Sequence, residues 1–474
     1  MATLRGHRAG PLSGVANATC PAWPLDLFRI CAGLVLTAYF IDLLHDVETW
    51  TGPEPLLGHG LETRTRATRL WPSDAETCRW LWGTAAAVAG GIVLGVAPRW
   101  CAAGLLPVVA AGKQWNHAVS YIDDHLAALM LFWLWVLPVG STLGLAAWRD
   151  RRGWLEGRVA DLPVRLFLFN IALVYLVAGG WKWTSPMWRD GKALFVVLKM
   201  PGGRFQEFWS PNWYVWTVPL SYAALVAEPL IPLLLVLRGR RYLQSIGLTI
   251  QVALHLGILV TVRVPFANLF LLATPLIFFR HELGRLRGSS DTRQWIRTSA
   301  ALRARTGLAA VYLAVVTVRF ACQAGDWAWA RQVCRKLTSW AGLSQDYRLF
   351  DWVDHRGYQQ VITLRRARSD GTFEVLDHRS LIPDNIRSAI ALTYLHGVAW
   401  KSYTASELAA LRERFEDRIT RRWCARQRTG GVGQLVSELR WFTQGEPGLG
   451  PALVETQVVA ELRCQAGAER GVPR

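Results

Sequence analysis

Ionisable residues set within apolar stretches are the groups of this chain most able to do chemistry, because a charge in a low-dielectric setting is costly to keep. The plainest case is Lys182, in VRLFLFNIALVYLVAGGWKWTSPMWRDGKAL, residues 164–194, where only Arg165 is charged between Val164 and Trp181. Two roles suit it. A lysine at a helix end, flanked by Trp181 and Trp183, snorkels to lipid headgroups within a tryptophan belt. A partly desolvated lysine instead gives up its proton more easily than one in water and can serve as a base.

Other polar groups occupy similar settings. Lys113, Gln114, Trp115, Asn116 and His117 close one apolar run, and Asp123, Asp124 and His125 open the next. Glu228 interrupts YAALVAEPLIPLLLVL, and His255 interrupts TIQVALHLGILV. One reading is structural: Lys113 pairs with an aspartate, His255 bonds a backbone carbonyl, and both hold helices together. The other is a shared pocket. With alternating passes, Lys113, Asn116, His117, Asp123, Lys182 and His255 all fall in the outer half of a bilayer, where they can line one outward-facing site.

The elements that must position these groups are apolar helices. The chain has 474 residues, 51% of them hydrophobic, and 25 tryptophans, a composition foreign to an ordinary soluble enzyme. Apolar windows lie near 25–45, 80–97, 101–120, 125–146, 164–183, 215–237, 246–262, 266–279 and 308–321. A full crossing takes roughly 17–25 residues, so the last three windows are short and the count is about nine. The expected fold is an all-α polytopic membrane bundle followed by a C-terminal α+β domain. Its divisions are a lead over 1–24, a transmembrane domain over 25–321 and a tail over 322–474.

The net charge of +18 follows the membrane rather than nucleic acid. Arg149, Arg151, Arg152 and Arg158 lie between windows four and five, and Arg238, Arg240 and Arg241 between six and seven. Seven more arginines, from Arg280 to Arg305, lie between eight and nine. With nine passes these loops share one face, and cytoplasmic loops are the ones rich in Lys and Arg. The N-terminus is then cytoplasmic and the tail extracytoplasmic, in a cell membrane. Loop 46–79 opposes the rule with Arg64, Arg66, Arg69 and Arg79, and its LETRTRATRLW reads as an interfacial amphipathic segment. No cleavable signal pattern precedes the first apolar run.

In the tail, YQQVITLRRARSDGTFEVLDH alternates around Asp370-Gly371, a hairpin signal. A helical stretch follows from Ser406 to Arg426, then the strand-like LVSELRWF and ALVETQVVAELRC. Four cysteines, Cys322, Cys334, Cys424 and Cys464, would lie where disulfides are permitted and allow three pairings. Neither CxxC nor HExxH occurs, so no metal site is expected.

Three blocks in order resemble the horizontally transferred transmembrane domain (HTTM) family, which is related to the vitamin-K-dependent γ-carboxylase. LDLFRICAGLVL resembles the family's opening helix, and KQWNHAVSYIDDHLAALMLFWLWVLP its Trp-Asn-(Asn)-His-Ser-Tyr helix pair. YLVAGGWKWTSPMWRDGKAL resembles its Tyr-x-x-Ala-Gly-x-x-Lys block. The resemblance covers about residues 25–280 and implies that Lys182 is the catalytic base, with His117 and His255 as its companion histidines. The chain departs from the family at the second Asn of the helix pair, at HAVSY, at LGILVTVRVPF after His255 and at Trp181. These changes touch the pocket rather than the scaffold.

The resemblance implies a quinol-coupled, carboxylase-like lyase. A membrane quinol, vitamin-K-like, would enter from the lipid bilayer and lose a phenolic proton to Lys182. Its reaction with oxygen would then yield a base strong enough to deprotonate an exported peptide or protein substrate. Two other classes remain: a non-redox membrane maturation or immunity factor for an exported peptide, and a transporter. Transport is disfavoured by the lack of an internal repeat or of paired broken segments.

Overall fold

The computed structural model describes residues 18–52, 55–56, 71–72, 74–116, 120–149, 157–200, 202–237, 240–286, 299–324, 333, 357–383, 385, 387–388, 391, 405–426, 432–442 and 453–464. Strand β1 (Thr19–Pro21) leads into α1 (Trp23–His45), α2 (Ala75–Leu94), α3 (Pro98–Trp115) and α4 (Ile122–Val136). Strand β2 (Arg158–Ala160) precedes α5 (Leu162–Thr184), the short α6 (Ala193–Lys199), α7 (Tyr214–Val236) and α8 (Arg241–Thr261). Helices α9 (Pro265–Ala273), α10 (Arg280–Leu286) and α11 (Ala300–Ala324) complete the helical part. The tail contributes β3 (Gly357–Ala367), β4 (Phe373–Leu376), α12 (Ala405–Arg426), β5 (Val432–Phe442) and β6 (Leu453–Arg463).

Among the described residues, five helices are long and apolar enough to cross a membrane: α1, α5, α7, α8 and α11. The shorter α4 packs among them, and every side chain from Leu126 to Leu134 is buried, so it is apolar all round rather than amphipathic. It ends earlier than the apolar run 125–146 suggests. The helix stops at Val136, and Leu137 is extended because it precedes Pro138, which disfavours helical backbone at the residue before it.

The chain after that stop is held by one buried pair on α1. Asp26 accepts from the backbone N–H groups of Thr142 (2.6 Å), Leu143 (2.9 Å) and Gly140, and from the Thr142 hydroxyl (2.7 Å). Arg29, 3.6 Å from Asp26, donates to the carbonyls of Ile92, Val93 and Leu143. Gly95 ends α2 at φ 74°, a left-handed conformation that glycine adopts without a Cβ penalty. A Cβ there would meet Gly144 Cα at 2.7 Å. Strands β1 and β2 pair antiparallel at this same end, where α10 also packs.

The tail is an antiparallel sheet in the order β4-β3-β5-β6. Its first hairpin turns at Gly371, φ +80°, as the Asp-Gly signal requires. Helix α12 covers one face with Leu411, Phe415, Ile419 and Trp423, spaced four apart, against Leu364, Leu435, Ala460 and Leu462. Trp50 and Leu56, from the segment after α1, belong to the same core. Of the pairings open to the four tail cysteines, Cys424–Cys464 forms. Cys334 and most of LETRTRATRLW lie outside the described residues.

Candidate functional site

Lys182 lies in the last turn of α5 with 2% of its surface exposed. Its Nζ donates to Glu228 Oε1 on α7 and sits 5.3 Å from the centroid of the Trp188 ring. This is not the geometry of a snorkelling lysine, whose ammonium would reach out of the bundle. The close approach of the two helices comes from Gly179. A Cβ there would meet Pro229 Cδ at 3.0 Å and Glu228 Cβ at 3.5 Å, so a larger residue would push α7 away from Lys182. The second carboxylate oxygen, Glu228 Oε2, is buried and has no hydrogen-bond partner.

Both residues line a cavity of about 570 Å³ between α5, α6, α7 and α8, within the usual range for small-molecule sites. The rest of its wall is almost entirely apolar, with Trp188 and Trp209 as its aromatic members. Leu220 and Val226, on its α7 side, are 55% and 50% exposed. The mouth therefore opens through the apolar flank of the helices, while Lys182 and Glu228 form its polar floor.

His255 is not in that wall. Ile250, Ala253, Leu254, Gly257 and Ile258 of α8 face the cavity, and His255 faces the other way, as helical periodicity requires. Its Nδ1 lies 2.8 Å from Asn268 Oδ1 and its Nε2 2.6 Å from the Tyr175 hydroxyl. Asn268 uses its Nδ2 to donate to Val264 O at 2.6 Å, so its Oδ1 is the acceptor and His255 Nδ1 the donor. Nε2 then accepts from Tyr175, whose oxygen accepts from Gln251 Nε2 at 3.1 Å. Gln251 also donates to Leu271 O and Thr274 Oγ1. His255 is thus joined to side chains rather than to the backbone carbonyl of the structural reading.

The aspartates that open α4 have a different task. Asp123 accepts from the backbone N–H groups of Ala267 (2.6 Å) and Phe266 (3.3 Å), capping α9 from another helix. Asp124 accepts from the Tyr39 hydroxyl (2.7 Å) and from both terminal nitrogens of Arg387 (2.6 and 3.2 Å). Burial alone would lower the pKa of Arg387; Asp124, Tyr121 and Tyr39 outweigh it and hold it above its ordinary value. Lys113 Nζ lies 2.9 Å from His125 Nδ1, with the charge of Asp124 nearby. The void among these groups is only about 20 Å³, room for one water and no substrate. This cluster joins the tail to the bundle, aided by Asn385 on Asp46 and by Arg422 on Glu48 O (2.7 Å) and Thr49.

Of the three candidate site residues, then, Lys182 reaches a cavity, His255 backs onto its far side, and His117 lies outside the described residues. Among the described residues no cluster of His, Cys, Asp or Glu could hold a metal ion. The sequence reading singled out Glu228 without its partner and missed Tyr175, Gln251, Asn268, Trp188 and Arg387. Gln251 was detectable, since it stands four residues before His255 in an apolar helix and shares its face. No protein-family model, curated protein or solved structure matches the chain.

Proposed function

We propose that this protein is a polytopic membrane enzyme of the HTTM type that binds a lipid-soluble quinol at Lys182 and Glu228 and acts on an exported peptide or protein. In this reading α2, α3, α4 and the segment 265–278 join the five long apolar helices to make nine passes. The tail then stands outside the cytoplasm, above the end of the bundle where Lys182 lies. The basic loops between passes support that orientation.

The observation that carries the reading is the buried Lys182–Glu228 pair on the floor of an apolar cavity that opens sideways. The residues suit an aromatic amphiphile with an acidic hydroxyl. Apolar walls and two tryptophans would take the ring, the mouth between α7 and α8 would admit it from lipid, and Glu228 Oε2 would accept its hydrogen bond. When bound, a quinol would supply reducing equivalents that no side chain of this site possesses.

The chain's own part is proton handling. Lys182 Nζ donates directly to Glu228 Oε1, so a proton can pass between them without an intermediary. Moving it onto the carboxylate leaves a neutral amine beside a neutral acid. The neutral Nζ can then take a phenolic proton, leaving an ammonium beside the new oxyanion. The cation also stabilises the charge it has created. His255, held by Tyr175 and Asn268, packs behind the cavity without lining it.

The test is oxygen uptake by the purified full-length protein in lipid nanodiscs, on addition of a reduced menaquinone or vitamin K analogue. Uptake that requires both the quinol and Lys182 supports the reading. Quenching of Trp188 and Trp209 emission by the quinone, without oxygen uptake, would replace it with the non-redox maturation or immunity factor. Neither quenching nor uptake would discard the quinol, leaving the transporter to be tested.

A further inference from the structure

A second cavity, of about 510 Å³, lies at the opposite end of α5 from Lys182, where α5 meets the end of α7, the start of α8 and α10. We propose that it binds an anionic phospholipid, with the phosphate held by arginines and an acyl chain lying along α5 and α7. The inference rests on the bilayer reading of the helices but not on the quinol chemistry.

The charge of the cavity is one-sided. Arg165, Arg241, Arg280 and Arg285 line it, with His281, against the single acid Glu282. Asp161, behind the wall, binds Arg280 (2.8 Å) and Arg165 (2.7 Å). Four guanidinium groups against these two carboxylates leave two positive charges unbalanced. Arg241 and Arg285 carry them: both are exposed, and neither has a hydrogen-bond or ion-pair partner among the described residues. Arginine's planar fork matches phosphate oxygens, which makes it the usual choice for that group.

Buried polar atoms point the same way. Arg280 is 1% exposed, and its Nη2, although 2.8 Å from Asp161, makes no aligned hydrogen bond. His281 Nε2 stands 3.9 Å from the same carboxylate and is likewise without a hydrogen bond. Buried donors of this kind are rarely left unpaired without a ligand or water to meet them.

The apolar half decides between a free phosphate and a lipid. From the arginines the cavity continues along Leu168, Phe169 and Ala172 of α5 and Leu235 and Val236 of α7. Phe169 and Val236 are about half exposed on the flank of the bundle. A soluble phosphate has no use for that trench, whereas an acyl chain fills it. If the nine-pass orientation holds, this end faces the cytoplasmic leaflet, where anionic lipids concentrate.

The experiment compares the full-length protein in phosphatidylcholine nanodiscs with and without phosphatidylglycerol, reading lipid retention by native mass spectrometry and the unfolding midpoint. Phosphatidylglycerol should be retained selectively and raise the midpoint. The Arg241→Gln/Arg285→Gln double variant should bind it roughly 30-fold more weakly, the size expected from two basic side chains near a membrane surface. Because both side chains are exposed, the variant's midpoint in pure phosphatidylcholine should match the wild type. Equal retention of the two lipids, or retention unchanged in the double variant, would overturn the proposal. So would an equal loss in Arg149→Gln, which removes a basic residue outside the cavity, or a matching midpoint shift from inorganic phosphate alone. Oxygen uptake is not read here, so failure of the quinol reading leaves this result intact.

Discussion

Lys182 of α5 donates to Glu228 of α7 where Gly179 lets those helices approach closely. The pair is buried, its cation faces the ring of Trp188, and one of its carboxylate oxygens is left without a partner. A buried ion pair is seldom retained for stability alone, since apolar residues of similar size often serve as well. Its placement on the floor of an otherwise apolar cavity is what makes it a candidate for chemistry.

Lys182→Arg separates the base from the merely paired cation. Arginine keeps the charge and the carboxylate partner but effectively never deprotonates. The variant should insert and express normally while quinol-dependent turnover is abolished, whereas Lys192→Arg, on the nearby 185–192 segment, should keep its activity. Full activity in the Lys182 variant would assign the residue to pairing alone.

Glu228→Gln strands the Lys182 ammonium among apolar side chains. Removing one partner of a buried pair costs about 3–5 kcal/mol, so the unfolding midpoint in detergent should drop clearly. Replacing both groups, as Lys182→Met with Glu228→Leu, should recover most of that loss. Turnover should remain absent. A midpoint unchanged by Glu228→Gln would show that the pair is not held as described.

Arg387→Gln should loosen the tail from the bundle. It leaves the Asp124 carboxylate buried beside Tyr39 without its guanidinium, again at a cost of about 3–5 kcal/mol. Limited proteolysis should then release a tail fragment faster than from the wild type. Equal rates in the two proteins would mean that the tail is held by other contacts, such as those of Arg422 with Glu48 and Thr49.

The Cys424–Cys464 bridge closes a 40-residue separation between α12 and β6. By loop-closure entropy a crosslink of that span contributes about 4 kcal/mol. Cys424→Ser should therefore lower the unfolding midpoint of the tail, and a non-reducing peptide map of the wild type should recover the two cysteines joined. Recovery of both as free thiols would point to a reducing compartment and a different orientation.

Orientation has its own measurement. Reporter fusions after Arg241 and Arg287 should read as cytoplasmic, and fusions after Gly357 as outside. A cytoplasmic tail would change the number of passes and put Lys182 on the wrong face for an exported substrate.

Much of the architecture was legible in the residues because its causes are local. Hydropathy over twenty residues marks α1, α5 and α7, and alternation about Asp370-Gly371 marks the β3–β4 hairpin, from neighbouring side chains alone. The cost of charge in an apolar run singled out Lys182, Glu228 and His255 before any contact was known. What the local pattern could not supply was the partner and facing of each group. Glu228 meets Lys182 across 46 positions and Arg387 meets Asp124 across 263. Those meetings depend on how each helix is rotated and how closely it can approach. A rotation of α8 by about 100°, one residue step, would exchange His255 for Leu254 in the cavity wall. Likewise α4 stops at Val136 although its apolar run continues. Pro138 breaks the helix locally, and Asp26, more than a hundred residues earlier in the chain, then anchors the turn that follows. Burial of a segment is written in its own composition; which surface it turns toward another segment is decided only when the whole bundle packs.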